Sequence, residues 1–184
     1  MRVAAALFAI LVLSCAQAAT GDERMRLVQP KNTELTLLKL VRENDLSASY
    51  SGQLWISGTF VARWPLGATD LREREPEYLL VPDQKSIQKL PYFVLREPPY
   101  FNRYKVRVIS LVNGKEALRR AVSAADARRL LERRVNHVRS TGLFLVEAYV
   151  VGVECDAPWA RAVLVRSELP EQFASVHLAV PEGC

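Results

Sequence analysis

The chain is poor in the residues that metal, redox and nucleophilic chemistry need: it has two histidines and three cysteines in 184 residues. No Cys-x-x-Cys pair occurs, and neither His137 nor His177 stands at zinc-ligand spacing from a cysteine or from the other histidine. There is no Gly-x-Ser-x-Gly elbow and no glycine-rich loop to cradle a phosphate. Ser86-Ile87-Gln88-Lys89 has the Ser-x-x-Lys spacing in which a lysine activates a serine, but its companion Ser-Asp-Asn and Lys-Thr-Gly triplets are missing. Glu154 and Asp156 flank Cys155 with no further ligand near. The sequence therefore names no catalytic, cofactor or metal residue. Paired carboxylates meet only in space, so a hydrolase built on them is the alternative that a sequence cannot address. Apolar runs long enough to cross a bilayer, roughly 20 residues, are also missing, and the best late segment, 143–153, is interrupted by Glu147.

What is present begins at the N-terminus. Arg2 precedes an uncharged apolar run from Val3 to Leu13, and small residues follow at Ala16 and Ala18. Those are the three parts of a secretory signal, too short to span. Residues 1–18 are read as that signal, cut before Ala19, leaving a single domain over 19–184 that is periplasmic or secreted. Leu11-Val12-Leu13-Ser14-Cys15 also resembles the lipobox of bacterial lipoproteins. The resemblance implies the alternative of a signal over 1–14 with Cys15 lipidated, and the domain held at the outer membrane.

Either route removes Cys15 from thiol chemistry. Cys155 and Cys184 remain, an even pair in an oxidising compartment, and a disulfide between them is expected. It would close a loop of about 30 residues and contribute roughly 3–4 kcal/mol in the chain-entropy model.

The formal net charge is +5. The basic residues spread along the whole chain, which is what a solvated surface looks like, although Arg128, Arg129, Arg133, Arg134 and Arg139 gather within one segment.

Period-two alternation over Gln53–Trp64 predicts a strand with Leu54, Ile56, Phe60 and Trp64 on one face, and Gly58 in that row predicts a bulge or bend. Tyr78–Val81 predicts a short strand, and Asp83 a cap for a brief helix toward Leu90. Tyr92–Leu95 and Tyr104–Val112 read as strands, the latter with Val106, Val108 and Leu111 inward. Leu35–Val41 fits helix or strand, and Ser47–Gly52 reads as a turn. Asn113-Gly114 fits either a hairpin or a strand-to-helix turn. Ser123 with Asp126 caps a helix whose inward stripe, Ala127, Leu130, Leu131, Arg134 or Val135, and Val138, runs to a stop at Ser140-Thr141-Gly142. Leu143–Glu154 and Arg161–Arg166 then pair as strands, and Phe173–Val180 alternates again. Gly52–Trp64 and Gly142–Glu154 look alike, as either a degenerate repeat or simply two long bent strands would.

The whole predicts an α+β domain: a bent, mainly antiparallel sheet with one principal amphipathic helix. A small, partly open barrel of the oligonucleotide- or oligosaccharide-binding type is one form of it. The remaining signal is a doubled Pro-Tyr-Phe with interleaved arginines: Tyr92, Phe93, Arg96, Tyr100, Phe101 and Arg103. Aromatics beside arginines on a proline-stiffened loop suit recognition of a partner. The expectation is a non-enzymatic envelope protein binding a protein or a polyanionic envelope polymer, with no cofactor and no nucleic acid.

Overall fold

A computed structural model describes residues 25–42, 46–65, 75–95, 103–104, 106–154 and 157–169. Cys15, Cys155 and Cys184, the signal segment and the alternating run 173–180 lie outside them. The described elements, in chain order, begin with the strands β1 (Met25–Val28), β2 (Thr36–Val41), β3 (Leu46–Ser51), β4 (Gln53–Arg63) and β5 (Glu77–Pro82). Then come α1 (Gln84–Ile87), β6 (Tyr92–Leu95), β7 (Arg103–Tyr104), β8 (Ile109–Leu111), α2 (Gly114–Ala121), α3 (Ala124–Leu131), β9 (His137–Glu154) and β10 (Ala157–Glu168).

Two sheets form, one of three strands in the order β1-β6-β7 and one of seven in the order β10-β8-β5-β4-β9-β3-β2. The larger sheet bends until β10, which pairs parallel with β8, also pairs antiparallel with β9. Strands β10, β8, β5, β4 and β9 are thus linked in a circuit, as in a partly open Greek-key barrel. The circuit is weakest at β8, which offers only two residue pairs to each neighbour, and the sheet does not close into a full barrel.

The core follows from alternation on β4 and β9. Leu54, Ile56, Phe60, Val138, Phe144 and Val146 are fully buried. Gly58 produces a close approach rather than a bulge. A Cβ there would stand 2.3 Å from the Val81 carbonyl oxygen, so only glycine lets β5 lie this near. Gly52 turns β3 into β4 at φ 96°, a conformation that costs glycine nothing. Ala148, at φ 50°, sits where β9 leaves β4 and begins to pair with β3. The β9–β10 register shifts at the same point, so β9 bulges there and bends enough to serve both partners.

Several local expectations are met. Asp83 caps α1, its Oδ1 accepting from the Ser86 amide at 2.7 Å. Ser123 caps α3 by accepting from the Asp126 amide at 3.1 Å. The open alternatives also resolve: 36–41 is a strand, and Asn113-Gly114 leads into a helix.

Others are corrected. The helix foreseen through residue 139 stops at Leu131. Arg133 adopts φ 58°, breaking the helix, and the Trp64 indole donates to the Leu130 carbonyl at 2.9 Å, capping its end. His137 therefore lies on β9, and Leu131 is exposed. The helical layer is two eight-residue helices, α2 and α3, in place of one longer one. Ser47–Ser51 is strand β3, because β9 supplies a partner that turn chemistry could not foretell. Val108 is 41 % exposed while Ile109 is buried, because the non-strand residues 106–108 shift the alternation by one.

Candidate functional site

The doubled aromatic motif divides. Tyr92 and Phe93 lie on β6, the middle strand of the smaller sheet, opposite Val28 and Leu27 of β1. Phe93 also pairs with Tyr104 of β7, and Arg103 pairs with Val94. Phe93 is 1 % exposed, so its ring is part of the core. Its strand packs against β9, and a middle strand covered on one face buries alternate residues. Tyr92 is partly exposed. Arg96, Tyr100 and Phe101 lie outside the described residues.

Aromatic–arginine pairing appears instead around the tryptophans. On the outer face of the large sheet, Trp55 of β4, Leu145 of β9 and Arg166 of β10 share one row. The Arg166 guanidinium lies 5.0 Å from the Trp55 ring centroid and is held by Glu168 Oε1 at 2.7 Å. A neighbouring row carries Gln53, whose Nε2 donates to Glu147 Oε2 at 3.0 Å. Farther along, the Thr59 and Thr141 hydroxyls meet at 3.2 Å. Leu143 and Val81, on the same face, are about two-fifths exposed. The result is an apolar strip around a partly exposed indole, fringed by planar polar groups.

Trp159 carries Arg161 in the same way, at 5.0 Å, and its indole lies across Gly152, where any Cβ would collide with the ring. Trp64 carries Arg133 at 4.2 Å. Alternation placed Trp55 on the outer face, but the arginine over it lies 111 residues later, beyond the reach of local patterns.

The titratable groups are held rather than poised. Burial pushes Tyr50 up to about 12 and Tyr149 well above its ordinary value, where the nearby Tyr50 adds to the effect. Tyr78 is raised by burial and then by Glu75. The capping bond from the Ser86 amide holds the Asp83 carboxyl below its usual range. Ser86, of the Ser-x-x-Lys spacing, is buried and its Oγ accepts from the Ser57 amide at 2.9 Å, which binds α1 to β4. Carboxylates sit against cations: Glu77 on Arg63 at 2.8 Å and Glu75 on Lys115 at 3.0 Å. His137 stands opposite Arg63 across the β4–β9 ladder. Among the described residues no three His, Cys, Asp or Glu side chains gather as a metal site. Nor, among them, is any helix long and apolar enough to cross a membrane.

The helical layer concentrates charge. Glu116 of α2 is shared by Arg119 at 3.7 Å and Arg120 at 3.1 Å. Glu132, just beyond α3, is shared by Arg128 at 3.1 Å and Arg134 at 2.9 Å. Against known proteins, no family model, no curated protein and no solved structure matches this chain.

Proposed function

We propose that this chain is an exported, non-enzymatic protein of the bacterial envelope that binds an envelope protein or polymer through the outer face of β4, β9 and β10. The observation that carries the reading is the row Trp55–Leu145–Arg166, a partly exposed indole under a guanidinium in the middle of an apolar strip. Tryptophan and arginine at the centre of a polar-rimmed surface are among the residues that dominate binding energy at interfaces. Among the described residues the resolved shifts in acidity trace first to burial at Tyr50, Tyr78 and Tyr149 and to a helix cap at Asp83.

The test uses two arms, co-sedimentation with purified peptidoglycan sacculi and chemical cross-linking to envelope proteins. In whichever arm the wild type binds, Trp55→Ala and Arg166→Ala should each weaken binding at least about tenfold, a loss of 1.4 kcal/mol or more. Their melting temperatures should stay within a few degrees of wild type. Binding untouched by both substitutions would discard this face as the site.

A further inference from the structure

We infer that the helical layer, α2 and α3 with the turn that follows, is a second binding surface, and that its ligand is a linear acidic polysaccharide. Between positions 115 and 139 the chain carries eight basic residues against three acidic ones; of the eight, Arg139 lies on β9 and Lys115 is paired with Glu75 at 3.0 Å, which leaves six arginines for the helical layer and its turn. All three acids are already engaged. Asp126 is within hydrogen-bond reach of the Ser123 hydroxyl at 2.8 Å, while Glu116 and Glu132 each serve two arginines. One carboxylate cannot neutralise two guanidinium groups, so each shared acid leaves a positive charge and also holds its arginines in place. Their side chains remain open to water: Arg119 is 74 %, Arg128 79 % and Arg134 71 % exposed.

Seven of the eight cations are arginine, the side chain whose planar fork matches a carboxylate or phosphate two bonds at a time. Such a surface attracts a polyanion.

Two competing ligands fit less well. A bilayer would need an exposed apolar helix face, but Ala117, Leu118, Ala121, Ala127 and Leu130 all point into the core. Leu131, at 43 % exposure, is the one large apolar side chain that α3 turns outward. A single-stranded nucleic acid would need a bare ring to stack on. The tryptophan nearest this layer, Trp64, has Arg133 over it and gives its indole hydrogen to Leu130. A polymer bearing a carboxylate on each sugar asks for neither.

Polygalacturonate is a suitable probe, with dextran as its neutral counterpart, titrated calorimetrically into the purified protein at low and at moderate salt. The triple variant Arg119→Glu, Arg128→Glu, Arg129→Glu should bind at least about tenfold more weakly, and the wild-type affinity should fall steeply with salt. An equal reversal elsewhere, Lys31→Glu, Lys39→Glu, Lys85→Glu, should stay within about twofold. Equal weakening by both triples would show diffuse net charge and overturn the assignment. So would an absence of polygalacturonate binding, or binding confined to phosphatidylglycerol vesicles or to DNA. Circular dichroism checks that both triples fold. Because Trp55→Ala leaves these arginines untouched, loss at the sheet face and loss here are separable.

Discussion

Replacing Tyr50 by phenylalanine should make this protein more stable. Tyr50 is 1 % exposed, its ring centroid lies 5.9 Å from that of Tyr149, and its hydroxyl has no hydrogen-bond partner among the described residues. A hydroxyl buried without a partner costs about 1–3 kcal/mol relative to water, while the ring's apolar burial survives the substitution. The expected gain is therefore about 1 kcal/mol at neutral pH, after allowing for the small void left behind. Tyr149→Phe is the contrast. It removes the bond that the Tyr149 hydroxyl gives the Pro91 carbonyl at 3.4 Å and should cost about 1 kcal/mol. Alkaline pH supplies a second readout. Because Tyr50 is raised to about 12, the folded state holds that proton more tightly than the unfolded chain does. Its contribution is complete below about pH 10 and is lost as pH climbs toward 12, a fall of about 2 kcal/mol. Tyr50→Phe should make the descent shallower. Urea unfolding followed by circular dichroism at pH 7 and through the alkaline range measures both effects. A loss of stability beyond about 0.5 kcal/mol in Tyr50→Phe at pH 7 would refute the reasoning, since it would mean the hydroxyl is satisfied.

Other perturbations test the frame around that core. Asn113→Ala should cost about 2 kcal/mol in urea unfolding. The Asn113 amide holds the Leu164 main chain from both sides, donating to its carbonyl at 2.8 Å and accepting from its amide at 3.1 Å. Gly58→Ala should cost about 3 kcal/mol or prevent folding, seen as a lowered urea midpoint, because the new methyl meets backbone that cannot step aside. Asp83→Ala should cost about 1 kcal/mol at pH 7. The Asp83 carboxyl is held below its ordinary 3.8, so that stabilisation is present above the unfolded value and vanishes as pH falls through the lower, folded one. Thermal melts of the two proteins should accordingly converge in acid.

Much of the sheet was legible because a half-buried strand writes its two faces into alternate residues. The inward Leu54, Ile56 and Phe60 of β4 are an example, and so are the caps at Asp83 and Ser123, whose partners are three residues away. What escaped local reading depended on distant contacts. The stripe Ala127, Leu130, Leu131, Val135 is as periodic as a longer helix, yet the chain turns at Arg133, whose amide donates to the Leu130 carbonyl together with the indole of Trp64, far back in sequence. Ser47–Ser51 has the composition of a turn and becomes a strand because β9 offers it hydrogen bonds. The binding surfaces fared likewise. The doubled Pro-Tyr-Phe drew notice as a motif, while Phe93 went into the core, and the pairings of Trp55 with Arg166 and of Trp64 with Arg133 were invisible until distant segments met.

The length of β9 also governs when this protein can fold. β4 can pair early with β5 over residues 58–63, but its other neighbour exists only once residues 137–147 do, with Gln53 and Glu147 94 positions apart. A chain delivered N-terminus first must therefore wait with Leu54 and Ile56 lacking a strand partner until most of its length has emerged. Collapse should come late and nearly all at once, at the pace of contacts between remote segments. A chaperone that shields the segment 53–63 meanwhile should raise the yield more than one acting on the finished domain.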